Sequence, residues 1–126
     1  MKLKPPKRIH RTTIYELVNN DDHPFGVYIV AYLGRIIYVG GTTQPITSRL
    51  STHYYSGAKF GKWLISTIND WHNVRIDILE PESVENEEWI TEAEKACIQK
   101  FRPLLNYQHK PKMTTELVFN TSNLSF

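Results

Sequence analysis

The stretch GVYIVAYLGRIIYVGG, residues 26–41, limits the fold more than any other part of the chain. Two runs rich in Val, Ile and Tyr flank Leu33-Gly34, and β-branched and aromatic residues around a glycine read as an antiparallel hairpin with strands Gly26–Tyr32 and Arg35–Gly40. The loop length decides where its tyrosines go, because a register change of one residue sends every side chain to the opposite face. A two-residue loop sets Tyr28 opposite Val39 and separates Tyr28 from Tyr38. A three-residue loop, Tyr32-Leu33-Gly34, gives Gly34 the left-handed position and makes Tyr28 the cross-strand neighbour of Tyr38. The expected register is the second, since Val27, Ile29, Ala31, Ile37 and Val39 then share one apolar face.

Downstream, the apolar period lengthens from two to that of a helix. Pro45 suits the first turn of a helix running to about Tyr54, with Thr43 or Gln44 as its cap. Phe60, Trp63, Leu64, Thr67, Ile68 and Trp71 recur at helical spacing and predict a second helix over 59–71 that buries this face. Residues 74–80, VRIDILE, set Val74, Ile76 and Ile78 against Arg75, Asp77 and Leu79, which predicts a third strand. From Ser83 or Asn86 to Phe101 the pattern is a long helix stopped by Pro103. Upstream, TTIYELVNN predicts a short helix, and residues 1–11 read as a flexible basic arm broken by Pro5-Pro6. The expected organisation is a basic arm with a short helix over 1–24, one α+β domain over 25–107 built on a three-stranded antiparallel sheet, and a weakly patterned tail over 108–126.

At 126 residues there is room for one core. A single cysteine, Cys97, excludes a disulfide framework and a thiolate metal site. No signal-peptide core and no membrane-length apolar run is present, so a soluble, cytoplasmic protein with no membrane partner is expected. Residues 1–62 hold nine Lys and Arg against three Asp and Glu, and residues 63–126 hold six against ten. The amino-terminal half is therefore the electropositive end, and with 12% aromatic residues it suits a polyanion. Lys7, Arg8, Arg11, Arg35, Lys59 and Lys62 are its candidate nucleic-acid contacts.

Arg49 and His53 lie four apart, on one face of the helix that follows the Tyr38 strand. A guanidinium matches phosphate geometry and an imidazole can shuttle protons, so with two phenols nearby they suit a phosphodiester. Glu94 falls on the apolar stripe of its helix, in line with Ile90, Cys97, Ile98 and Phe101, where an unpaired carboxylate is costly. Either a hard cation or a Lys or Arg partner would answer that cost. Glu92, among Glu88, Lys95 and Gln99, reads as solvated. Asn106, in RPLLNY, is the last polar candidate.

Together these residues resemble a GIY-YIG endonuclease domain. The family's two name motifs correspond to Gly26-Val27-Tyr28 and Tyr38-Val39-Gly40. The likeness continues through TTQPITSRLSTH, with Arg49 on the catalytic arginine and His53 one turn later. It resumes in EEWITEAEKACIQKFRPLLN, with Glu94 on the metal-binding glutamate and Asn106 on the asparagine after Pro-Leu-Leu. The five motifs span about residues 25–107 in order. Gly41 stands where some members have a lysine, and no additional DNA-binding domain is recognisable.

The resemblance implies a small three-stranded sheet flanked by helices and metal-dependent cleavage of nucleic acid, double-stranded DNA above all. In that scheme Glu94 holds Mg²⁺ or Mn²⁺, Arg49 holds the phosphate and Tyr28 activates water with help from Arg49 and the metal. Tyr38 and His53 position water or phosphate, and Asn106 orients its neighbours. The alternative is a catalytically silent module of this fold that binds nucleic acid or, through Trp63, Trp71 and Trp89, a protein.

Overall fold

The structure, a computed structural model, describes residues 3–20 and 22–106. Its strands are β1 (Arg8–Thr13), β2 (Gly26–Tyr32), β3 (Arg35–Thr42) and β4 (Arg75–Glu80). They form one antiparallel sheet in the order β1-β4-β2-β3. The helices are α1 (Ile14–Val18), α2 (Ile46–Tyr55), α3 (Lys59–Ser66) and α4 (Glu87–Phe101), with a 3₁₀ helix over Ile68–Asn73. The described residues are thus α+β with one four-stranded sheet in place of the expected three-stranded one.

The fourth strand comes from the expected arm. β4 carries Asp77, a fully buried carboxylate, which cannot remain unpaired. β1 supplies the answer: Arg11 is its register partner and donates to it at 3.0 and 3.2 Å. One more cross-strand pair, Arg8 with Glu80 at 2.8 Å, extends the match. Leu3 is buried, and Trp89 Nε1 donates to the Lys4 carbonyl, so the stretch before β1 is also held.

Two apolar layers lie on the sheet. On one face α1, α2 and α3 bring Ile14, Leu17, Ile46, Leu50, Phe60 and Leu64 onto Tyr28, Val30, Ile76 and Ile78. On the other, α4 brings Ile90, Ala93, Cys97 and Ile98 onto Val27, Ile29, Val39 and Leu79. β4, paired on both sides, is buried on both faces, which is why Leu79 and Asp77 are buried and not on a polar face.

The hairpin differs from expectation and still brings the tyrosines together. Tyr32 pairs with Arg35, leaving the two-residue loop Leu33-Gly34, both with positive φ (52° and 76°) as the tight turn of a twisted hairpin requires. A bulge between Val30 and Ala31 then shifts the ladder, so that Val30 faces Tyr38 and Tyr28 faces Gly40. The extra residue restores the parity that the short loop removes. Tyr28 and Tyr38 share a face, with ring centroids 6.3 Å apart, but are diagonal neighbours and not directly opposed. Ile37, expected on the face of Val39, joins the opposite layer.

β3 runs two residues past Gly40, to Thr42. α2 starts after Pro45 without a side-chain cap from Thr43 or Gln44; Thr42 Oγ1 instead accepts from the Gln44 N–H. The helix expected over 59–71 breaks at Thr67, whose hydroxyl donates to the carbonyls of Trp63 and Leu64. Asp70 has non-helical backbone angles and accepts from Tyr32 Oη, so the chain continues as a 3₁₀ helix and leaves Ile68 exposed. The tail over 108–126 lies outside the described residues.

Because β1 covers the edge of β4 and supplies the nearer of the two guanidiniums at Asp77, Arg11 at 3.0 Å against Arg75 at 3.6 Å, deleting residues 1–13 should cost on the order of 3 kcal/mol, the lower end of the scale for breaking a buried ion pair. Urea unfolding monitored by tryptophan fluorescence should show a much lower midpoint or no cooperative transition. An appended arm would leave the midpoint unchanged.

Candidate active site

Towards its end β3 has no side chain on either face, at Gly40 and then at Gly41. Tyr28 lies over Gly40, where a Cβ would fall 2.8 Å from the ring's Cε2 and closer still to its hydroxyl end. On the opposite face a Cβ at Gly41 would sit 3.4 Å from the Glu94 carboxylate and 3.0 Å from Ile90 Cγ2. The bare backbone lets a phenol from β2 and a carboxylate from α4 approach one point from two sides.

α2 completes the cluster. Tyr28 Oη and His53 Nε2 are 3.1 Å apart. Tyr38 stacks on Phe60 of α3 with centroids 4.1 Å apart and planes 6° from parallel, and His53 stands edge-on to both rings at 5.2 and 5.1 Å. Arg49, one helical turn before His53, acts electrostatically on Tyr28, Tyr38, His53 and Glu94. Five of the six expected catalytic side chains therefore converge: Tyr28, Tyr38, Arg49, His53 and Glu94. Asn106 is set apart from these five and acts on the backbone. It is buried, its Oδ1 accepts from the Val39 N–H and its Nδ2 donates to the Val39 carbonyl, both at 2.9 Å, so it clamps the strand that carries Tyr38.

Burial sets the protonation states. Tyr28 is only 1% exposed; burial and then Tyr38 raise its pKa well above a free phenol's, and the opposing Arg49 does not offset them. Tyr38 is raised chiefly by burial and then by Glu94. Burial, with Arg49 adding to it, lowers His53 to about 4, so its imidazole is neutral at pH 7. Glu94 is pushed up to about 7 by burial, against the Gly41 backbone hydrogen bond, Arg49 and Lys95, which favour its ionised form. The local cation that sequence reasoning assigned to ionise Tyr28 is thus outweighed by desolvation. At neutral pH, Tyr28 and His53 are an uncharged pair linked by one hydrogen bond.

The fit of a metal ion rests on Glu94. No ion pair holds its carboxylate among the described residues, whereas Glu92 pairs with Lys95 at 3.9 Å. No group of three or more His, Cys, Asp or Glu able to hold a metal occurs among the described residues. A single half-buried carboxylate that resists ionisation alone suits one hard, largely hydrated cation such as Mg²⁺ or Mn²⁺, and not a closed cage. Beside it opens a cleft of about 430 Å³ walled by Gly41, Thr42, Ser48, Arg49, Thr52 and Thr91. Sequence reasoning gave these hydroxyl residues no role and noted Gly41 only as standing where some members of the resembled family have a lysine; the adjacent pair Gly40-Gly41 inside a strand was the available signal.

The proposed nucleic-acid contacts divide by position. Arg8 and Arg11 are engaged with Glu80 and Asp77 on β1, at the sheet edge opposite β3, and exposed Lys7 bonds through its N–H to the Glu80 carbonyl. Arg35 is exposed at the hairpin tip, the far end of β3 from Gly40. Exposed Lys59 and Lys62 lie on α3, the helix that supplies Phe60 to the cluster. Of the six, these two and Arg35 stand on elements that contribute to the site, and Arg35 lies at the end of β3 away from it. No helix among the described residues is long and apolar enough to cross a membrane.

Because folding raises the Glu94 pKa, the proton held there stabilises the native state below the ordinary carboxyl range, and that contribution is lost as pH rises toward about 7. In a metal-free buffer with chelator, Glu94→Gln should match the parent near pH 4 and exceed it near pH 8 by about 1–2 kcal/mol after allowance for solvent screening. Urea midpoints at the two pH values check this, and an equal offset at both would contradict it.

In comparisons with known proteins, no family model, no curated protein and no solved structure matches the chain.

Proposed function

We propose that the protein is a GIY-YIG-type endonuclease that hydrolyses phosphodiester bonds of double-stranded DNA with one Mg²⁺ or Mn²⁺ ion. The observation that carries this reading is the convergence of Tyr28, Tyr38, Arg49, His53 and Glu94, from β2, β3, α2 and α4, on the bare backbone at Gly40 and Gly41. These groups divide the work of phosphoryl hydrolysis. Arg49, on the wall of the cleft, offers a planar fork to the phosphate oxygens and offsets charge that develops on them. Glu94 would hold the cation, whose chemistry when bound is to polarise the phosphate and stabilise the leaving oxygen. His53, neutral and half-buried, is the proton acceptor available at pH 7, and Tyr28 fixes its ring through the Oη–Nε2 bond. The hydroxyls of Ser48, Thr52 and Thr91 suit phosphate and sugar contacts, which position a strand without reading its bases.

The second reading, a module that binds nucleic acid without cutting it, draws on the burial of Tyr28, whose hydroxyl is shielded from solvent. Purified protein incubated with DNA and RNA of varied form, with Mg²⁺, Mn²⁺ or chelator, separates the two by strand length. Cleavage that chelator stops supports the nuclease; metal-independent binding with intact strands supports the module.

Two pairs of variants test the assignments. Arg49→Ala should lower kcat by at least about a hundredfold, the scale of one lost transition-state contact. Arg49→Lys should recover only part of this, because a point charge lacks the fork. Glu94→Gln should abolish cleavage while leaving DNA binding in a gel-shift assay nearly intact, and Glu92→Gln should change little. Loss in the Glu92 variant with activity kept in the Glu94 variant would reverse the assignment.

A further inference from the structure

α2 ends at Tyr55 and α3 begins at Lys59, so Ser56, Gly57 and Ala58 must reverse the chain within one corner. The corner is tied to a single atom. The His53 carbonyl accepts from Ser56 N at 3.1 Å and from Ser56 Oγ at 2.8 Å, and Ser56 Oγ in turn accepts from Ala58 N at 3.1 Å. α3 then returns so closely that Gly61 rests on the same carbonyl. A Cβ at Gly61 would stand 2.9 Å from the His53 carbonyl carbon, closer still to its oxygen, and 3.1 Å from Ser56 Oγ. Backbone cannot swing aside as the end of a flexible side chain can. Gly57 contrasts with it: its φ is +76° but a Cβ there would meet nothing within 4 Å.

We propose that Gly61 is a positioning residue for the His53–Tyr28 pair, holding α3 close enough to α2 for Phe60 to wall the imidazole against Tyr38. Phe60 is the preceding residue, stacked on Tyr38 and edge-on to His53. A methyl group at Gly61 forces the two helices apart by about an ångström, since packed backbone does not absorb such an overlap. The displacement carries the Phe60 ring off His53 and admits water. The groups that face His53 are Tyr28, Tyr38, Phe60 and, on its own helix, Arg49. Of these only Phe60 rides on α3, so the movement changes the desolvation of the imidazole more than its charge environment. The catalytic consequence rests on the nuclease reading, whereas the contact does not.

The test is an NMR titration of the His53 imidazole in the labelled full-length chain, for the parent, Gly61→Ala and Gly57→Ala. In Gly61→Ala the midpoint should rise from about 4 toward the ordinary histidine value, because relief of burial favours the charged form. In Gly57→Ala it should stay at the parent's value, although strain at a positive φ lowers thermal stability. A folded Gly61→Ala protein with the parent's midpoint overturns the proposal. Should that variant not fold, Ser56→Ala loosens the same corner without adding volume; a smaller rise supports the proposal and an unchanged midpoint overturns it. In cleavage assays Gly61→Ala should lose at least about tenfold in kcat with KM within about twofold, the mark of lost orientation in place of lost binding. A parent that cuts no nucleic acid removes the nuclease reading and leaves the contact standing. A cutting parent with full kcat in a Gly61→Ala protein whose midpoint has moved removes the catalytic role of the positioning.

Discussion

A carboxylate inside a sheet organises this protein. Asp77 stands at the middle of β4, one of the two strands with a neighbour on each side, and its buried charge is met by two guanidiniums, Arg11 reaching across from β1 at 3.0 Å and Arg75 on β4 itself at 3.6 Å. That pairing brings the basic amino-terminal segment into the sheet and commits to structure two cations, Arg8 and Arg11, of the set expected to meet a polyanion. Structure and charge thus divide along the sheet order. The β1 edge is held by ion pairs, and the β3 edge, with its two bare residues, holds the cluster of titratable groups.

At that cluster, burial outweighs local charge. Arg49 is close enough to favour an ionised Tyr28 and an ionised Glu94, yet both carry raised pKa values, and His53 is lowered by burial first and Arg49 second. The ground state is a nearly neutral site around one guanidinium. On the nuclease reading proposed above, a phosphate would meet the guanidinium and a cation would favour the ionised form of Glu94 that desolvation disfavours.

The sequence made the local elements legible and concealed the long-range ones. The hairpin, α2 and α4 follow from periodicity, Pro45 and Pro103, and the face of Glu94 follows from its place among Ile90, Cys97 and Ile98. Pairing of β1 with β4 does not, since Arg-Ile-His-Arg-Thr-Thr shows little apolar alternation and its reason, Asp77, lies 66 residues away. The hairpin shows how two local errors can cancel: the loop is one residue shorter than expected, a bulge adds one back, and Tyr28 and Tyr38 reach the same face by another register. The break at Thr67 depends on hydroxyl-to-carbonyl bonds that a hydrophobic pattern does not encode. Asn106, placed with the site residues by the resemblance alone, bonds the backbone of β3 beside Tyr38, a contact across 67 residues that the sequence does not show.

That clamp has a bearing on association between molecules. β3 is an edge strand, and an unpaired row of N–H and C=O groups is a template for another chain. Here Leu104 N and Leu105 N donate to the carbonyls of Ile36 and Ile37, and the Asn106 amide takes both polar groups of Val39. Three consecutive residues after α4 therefore occupy the outer rim of β3 between Ile36 and Val39 as a foreign strand would, and this stretch of one sheet edge is covered by its own chain against edge-to-edge aggregation.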